Sequence, residues 1–354
     1  MTEVRADTGE QSAGEPEAYQ SGAPSRSAKR EQEIADRAVR VAARGSKPTR
    51  VVSARVSVWL RLREMWQARE LFVFLVRKEI KVKYKNSVLG FLWSMLNPAL
   101  TLAVFYVLFT YFLPNGIPHF VIYMFSAMLV WNLFQSGLLS GTTSVVVNAG
   151  IVKKVAFPRE ILVLASVGAA FMFFFYQSIV MVAFMVAFHH APAWGDIWLL
   201  LPALAAIIVF ASALAIFLSA VNVYLRDTQH LVEVLLVAWF WAIPTVYAFS
   251  GRVHDSLQRH TIFFIPHTKL IWLYFANPVT PVVMTFQRFF YNDFHPHSTL
   301  ASLKHAPIAH GVLANYPIHW FVEADLAVLG ASVLLFLAAL VVFGHLEGNF
   351  AEEL

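Results

Sequence analysis

The sequence contains no cysteine, which removes disulfides, thiolate metal sites and cysteine nucleophiles at once. It is poor in charge. Only 14% of the 354 residues are Asp, Glu, Lys or Arg, against about a quarter in an average soluble domain. No G-x-x-x-x-G-K-S/T stretch occurs, so the chain has no P-loop with which to hold ATP. The N-terminus has no apolar core of the kind that marks a secretory signal. Residues 1–54 are rich in Ala, Gly, Ser, Glu and Arg with few large apolar side chains, too few to offset the entropy of ordering. They are expected to form a disordered cytosolic tail.

What is abundant is apolar surface: 58% of residues are hydrophobic, 15% aromatic, and the mean hydropathy is +0.59. Six segments of 18 residues or more carry few charges, at about 88–113, 120–147, 161–188, 197–222, 231–249 and 323–344. About 20 apolar residues suffice to cross a bilayer, and in lipid only helices or closed barrels satisfy the backbone. The expected fold is therefore all-α, a polytopic membrane protein with six transmembrane helices.

The net charge of +5 is unevenly placed, with 18 of the 27 Lys and Arg before residue 90. Such lopsidedness suits membrane orientation better than a nucleic-acid groove. Lys153, Lys154 and Arg159 lie between the second and third segments and Arg226 between the fourth and fifth, while 114–119 and 189–196 carry no Lys or Arg. Both termini are thus expected in the cytoplasm of an inner (plasma) membrane protein.

Ahead of the first span, VSVWLRLREMWQARELFVFLV sets Trp59, Leu62 and Trp66 on one helical face and Arg61, Arg63, Glu64 and Arg69 largely elsewhere. This is the pattern of an amphipathic helix lying in the interface. Next, Val76, Ile80, Tyr84 and Val88 recur every four residues beside a stripe of Arg77, Lys81 and Lys85, with Lys78 and Lys83 nearby. Together these segments, 55–87, read as an interface helix and a basic helix. Two roles stay open for the basic cluster. It could anchor topology and attract anionic lipid, at about 1 kcal/mol per basic residue, or receive a phosphate-bearing headgroup, for which clustered Lys and Arg are suited.

Ionisable residues are absent from the span centres; Glu233, Glu323 and Asp325 fall near ends. That argues against a proton- or sodium-driven carrier and against intramembrane catalysis, so no catalytic residue is expected. Aromatics on the first and fifth spans, Phe105, Tyr106, Trp239, Trp241 and Tyr247, could stack on the C–H faces of sugars and line a channel, though aromatics also crowd membrane interfaces. Between 250 and 322 the apolar pieces TIFFIP, KLIWLYFANP and VTPVVMTFQRFFY are too short to span, favouring re-entrant outer helices. Asp293, His295, His297, His305 and His310 cluster there, but match no zinc spacing and no metal is expected.

Five stretches in order, RKEIKVKYKNSVLGFLWSMLNP at 77–98, IVKKVAFPREIL at 151–162, NVYLRDTQHLVEVLLVAWFWAIPTVY at 222–247, FANPVTPVVMTFQRFFY at 275–291 and the terminal FAEEL, resemble the membrane subunit of ABC-2 type polysaccharide exporters. That family moves O-antigen, capsule, teichoic acid or galactan on a polyprenyl carrier. The likeness covers 55–354 apart from the insert 292–320. It implies a homodimer joined to two copies of an ATP-hydrolysing subunit, so ATP and Mg are bound by the partner and this chain holds no cofactor and no nucleic acid. It implies a pyrophosphate gate at Arg77, Lys78, Lys81, Lys83, Tyr84 and Lys85, and an ATPase-coupling segment at 148–160 containing Lys153, Lys154, Phe157, Pro158, Arg159 and Glu160. It further implies a structural pair Arg226–Asp227, and outer gate helices at 268–276 and 279–290 within a 250–322 region. The transmembrane domain then covers 88–354. An ABC-2 exporter of a drug or small lipid, or a polytopic glycosyltransferase or acyltransferase, are the alternatives.

Overall fold

The computed structural model describes residues 57–85, 92–113, 115–249, 267–292, 312–313 and 315–354, apart from the side chains of 94, 267–270 and 351. The tail 1–54, the piece TIFFIP and the His-rich insert 293–310 lie outside the described residues. Among the described residues every regular element is helical.

Two helices precede the bundle, α1 (Val58–Gln67) and α2 (Arg69–Lys83), parted at Ala68. Then come α3 (Leu92–Val107), continued by a π-helical turn Leu108–Phe112, and α4 (Phe120–Val147). The short α5 (Ala149–Val152) leads to α6 (Glu160–Ala187) and α7 (Leu200–Tyr224). Three shorter helices follow, α8 (Thr228–Trp241), α9 (His267–Phe275) and α10 (Val279–Phe290). The chain ends with α11 (Ile318–Leu346) and α12 (Phe350–Glu353).

Five helical stretches are long and apolar enough to cross a membrane: Met95–Phe112, Phe120–Val147, Glu160–Ala187, Trp194–Tyr224 and Ile318–Asn349. The chain is therefore a multi-pass helical membrane protein. The expected fifth span, 231–249, instead appears as α8 with 14 residues, about 21 Å at 1.5 Å per residue, less than the roughly 30 Å hydrocarbon core. It stops because Pro244 cannot donate and disfavours the helical region at the residue before it. Residues 243–247 run as bends.

Bends of that kind are tolerated in a bundle only if their carbonyls find partners, and here they do. The Tyr123 hydroxyl donates to the carbonyls of Pro244 (3.2 Å) and Tyr247 (2.8 Å), and Gln287 Nε2 donates to that of Pro244 at 2.6 Å. α10, buried almost along its whole length, is in this way pinned to α4 and to the end of α8.

At the centre stands α4, whose residues from Ile122 to Phe125 are wholly buried. It packs on α6 and α7, and α7 packs on α11. Close approach depends on small residues. A Cβ placed on Gly141 of α4 would sit 2.7 Å from the Ala215 Cβ of α7, so nothing larger than glycine fits without separating the two helices.

Candidate functional site

The basic helix α2 lies along α6. Leu75 and Val76 are buried, and Gly168 of α6 gives Phe72 and Val76 room: a Cβ there would come within 3.0 Å of their side-chain atoms. The face carrying Phe72, Leu75 and Val76 thus packs on protein, while Phe74 and Val82 are exposed, as are Arg77, Lys81, Lys83 and Lys85. Lys78 differs, its Nζ donating to Asn148 Oδ1 at 2.8 Å. The repeat through Tyr84 and Val88 suggests a longer helix than is found. α2 ends at Lys83, and Tyr84 is its cap.

That ending sets Lys83 and Tyr84 at the wall of a cavity of about 830 Å³ between α2, α3, α4, α6 and α8. The Lys83 ammonium sits 4.1 Å from the Phe173 ring centre, and Tyr84 meets the same ring edge-on at 5.9 Å. Desolvation lowers the Lys83 pKa from its ordinary value, although the residue as a whole keeps solvent contact. The basic stripe therefore delivers one cation to the cavity; the other basic residues stay outside it.

Of the expected channel aromatics, Phe105 and Trp241 line this space. Tyr106 does not, being on the exposed side of α3. Trp239 turns inward, donating to Asn277 Oδ1 at 3.0 Å and packing edge-on against Phe134. Tyr247 braces the bend after α8, its hydroxyl donating to the Trp241 carbonyl at 3.2 Å. Phe240, in the same aromatic run of the fifth segment, lines it too, whereas the sequence reading passed over Trp93, Asn97, Trp131, Asn132, Gln135 and Gln177, all of which line the cavity. The carboxamides could have been noticed, since each is a polar group inside an apolar span.

At the end of the bundle holding 148–159, 225–227 and the C-terminus, α1 docks by a buried ion-pair network. Arg61 pairs with Glu160 and, at 2.9 Å, with Glu347 Oε2. Burial acts to lower the Arg61 pKa, but the two carboxylates outweigh it and hold the guanidinium above its usual value. Arg159 donates to the Glu347 carbonyl at 2.7 Å and approaches its carboxylate at 3.6 Å. Gly344 lets the Arg61 guanidinium cross α11, since a Cβ there would lie 2.9 Å from Cζ. Sequence periodicity put Arg61 on the wet face. It is 6% exposed, while Trp59 and Trp66 are 77% and 74% exposed.

Of the expected coupling residues, Lys153 and Lys154 are exposed, Phe157 and Pro158 half-buried, and Arg159 and Glu160 engaged in that network. Arg226 and Asp227 are both exposed and do not pair with each other. At the opposite end, Arg288 meets Asp196 at 2.8 Å. Asp325, expected near a span end, lies two turns inside α11 and is wholly buried, accepting from the Thr285 hydroxyl at 2.8 Å. Among the described residues no cluster of His, Cys, Asp or Glu could hold a metal.

A polytopic helical bundle with a cation at the mouth of an aromatic, carboxamide-lined cavity is the frame of a membrane permease. The profile of the ABC-2 type transporter family matches residues 70–291, and the chain belongs to that family. It is similar to an O-antigen export system permease protein RfbA from Myxococcus xanthus, 32% identical over 248 residues, covering 69% of this chain and 90% of that protein. Two proteins of the same name from Klebsiella pneumoniae are each 26% identical over 223 residues, covering 63% of this chain and 81% of theirs. Family membership makes the chain a transport subunit.

Proposed function

We propose that this chain is the membrane subunit of an ATP-driven exporter that carries a polyprenyl-pyrophosphate-linked polysaccharide from the cytoplasm to the outer face of the plasma membrane. Two copies form the passage, and two copies of a nucleotide-binding subunit supply ATP and Mg. Galactan is one cargo the reading accommodates. The relatives named as O-antigen export permeases support the cargo class. The observation that carries the site is Lys83, the last residue of the basic helix, with its ammonium in the wall of an aromatic cavity.

In this reading both termini are cytoplasmic. α8 with the bends after it makes a sixth crossing, and α9 and α10 form a re-entrant outer gate. The remaining gate cations, Arg77, Lys78, Lys81 and Lys85, raise the local concentration of the anionic carrier, and Lys83 takes the pyrophosphate at the doorway. The exposed Lys153 and Lys154 meet the ATPase, and the Arg61–Glu160–Glu347 network passes its motion to α1 and α11. The ATPase moves the passage only by binding its two states differently.

Depleting the protein from its native cells tests the cargo. A lipid-linked glycan should accumulate inside and be seen by mass analysis. Accumulation of a phospholipid or drug in its place would instead establish the small-lipid or drug exporter reading.

A further inference from the structure

We infer that the wall of the cavity formed by Asn132, Gln135, Ser136 and Gln177, with Asn97 on α3 as a further lining residue, is a subsite for the neutral sugar ring next to the carrier pyrophosphate. The inference rests on the function proposed above and adds a ligand class and residues to it.

Burying a carboxamide in an apolar span is costly unless its hydrogen bonds are met. Asn132, Gln135 and Ser136 share one face of α4 by their three- and four-residue spacing, and Gln177 belongs to α6, against which α4 packs. Asn132 Nδ2 donates to Gln177 Oε1 at 2.9 Å. That bond uses one donor and one acceptor and holds both side chains in place, leaving the Asn132 oxygen and the Gln177 nitrogen for a ligand. Among the described residues neither the half-buried Gln135 side chain nor the exposed Asn97 side chain has a hydrogen-bond partner.

Donors and acceptors alternating on a wall, with Trp93, Trp131, Phe240 and Trp241 around them, match a ring that has hydroxyls at its edge and C–H bonds on its faces. A polyprenyl tail would use the aromatics and leave the carboxamides unpaired. The position also fits. Ser136, one turn from Asn132, and Phe173, under the Lys83 ammonium, line both this cavity and a neighbouring one of about 200 Å³. An anion held at Lys83 therefore has its first substituent beside the carboxamides. The volume of about 830 Å³ lies in the range of about 300–1,000 Å³ that holds a drug-sized ligand.

The test uses the full chain in lipid nanodiscs and three probes: polyprenol, polyprenyl diphosphate and polyprenyl diphosphoryl-galactose, with dissociation constants read from tryptophan quenching. Wild type should bind the glycosylated lipid about tenfold more tightly than the bare diphosphate, the effect of one or two well-made hydrogen bonds. Asn132→Leu and Gln177→Leu should bring that ratio to about one. Gln135→Ala, which removes no internal bond, should lower it too and serves if the leucine variants do not fold. A wild-type ratio of one, or a ratio unmoved by any of these variants, overturns the subsite. Diphosphate binding no tighter than polyprenol would instead overturn the function on which it rests.

Discussion

In α4, 83% of the membrane-length window is buried against other helices; in α3 the share is 6%. Both are apolar enough to cross, so hydropathy alone does not separate them. α8 sides with α3, presenting Leu231, Val234 and Leu235 outward at 62–70% exposure. α4, α6 and α7 make a packed scaffold, whereas α3 and α8 are lightly held walls on either side of the cavity. Elements with few internal contacts open at least cost, and a passage needs walls that part without melting their support.

The comparison is open to breaking, beginning with the largest effect. Glu160→Ala would leave the buried Arg61 guanidinium with half its pairing, and removing one partner of a buried pair costs about 3–5 kcal/mol. The loss should appear as a large drop in the thermal midpoint of the purified protein, and α1 should become accessible to protease. Gly141→Ala should cost about 1–3 kcal/mol through overpacking against Ala215, read in the same assay. On the bare side, Val104→Ala, at a position 66% exposed, should stay within about 0.5 kcal/mol. A Val104 effect as large as that at Gly141 would abolish the distinction between scaffold and wall.

A pH titration sharpens it further. Because desolvation lowers the Lys83 pKa, this ammonium loses its proton at a lower pH than a fully solvated lysine side chain. Carrier binding should therefore weaken at lower pH in wild type than in Lys83→Arg, which stays charged throughout. Superimposable pH profiles for the two proteins would show that Lys83 does not hold the anion.

Much of the scaffold was legible because it depends on local composition. Apolar runs located the five long helices, and the short pieces after residue 266 fell at α9 and α10. What escaped depends on partners remote in sequence. The end of α8 follows from Pro244, but its bends persist because Tyr123, 121 residues away, and Gln287, 43 away, take up the freed carbonyls. Periodicity likewise could not bury Arg61, whose partners stand 99 and 286 residues distant and whose path is cleared by Gly344. Among the cavity-lining residues, charge clustering had singled out Lys83, and aromatic content Phe105 and Trp241. The carboxamides of α4 and α6 are visible in the sequence as polar groups inside apolar spans, but that they share one wall is decided by the packing of the two helices.

The central claim is that the basic helix hands an anionic carrier lipid to the cavity through Lys83. Its most direct test is Lys83→Glu in correctly inserted protein paired with its ATPase, following both polyprenyl diphosphate binding and export of the glycan. The account expects binding to fall by about tenfold or more, as for loss of a charge-assisted contact, with export falling in step while assembly and basal ATP hydrolysis persist. Unchanged binding and export in that protein would contradict it.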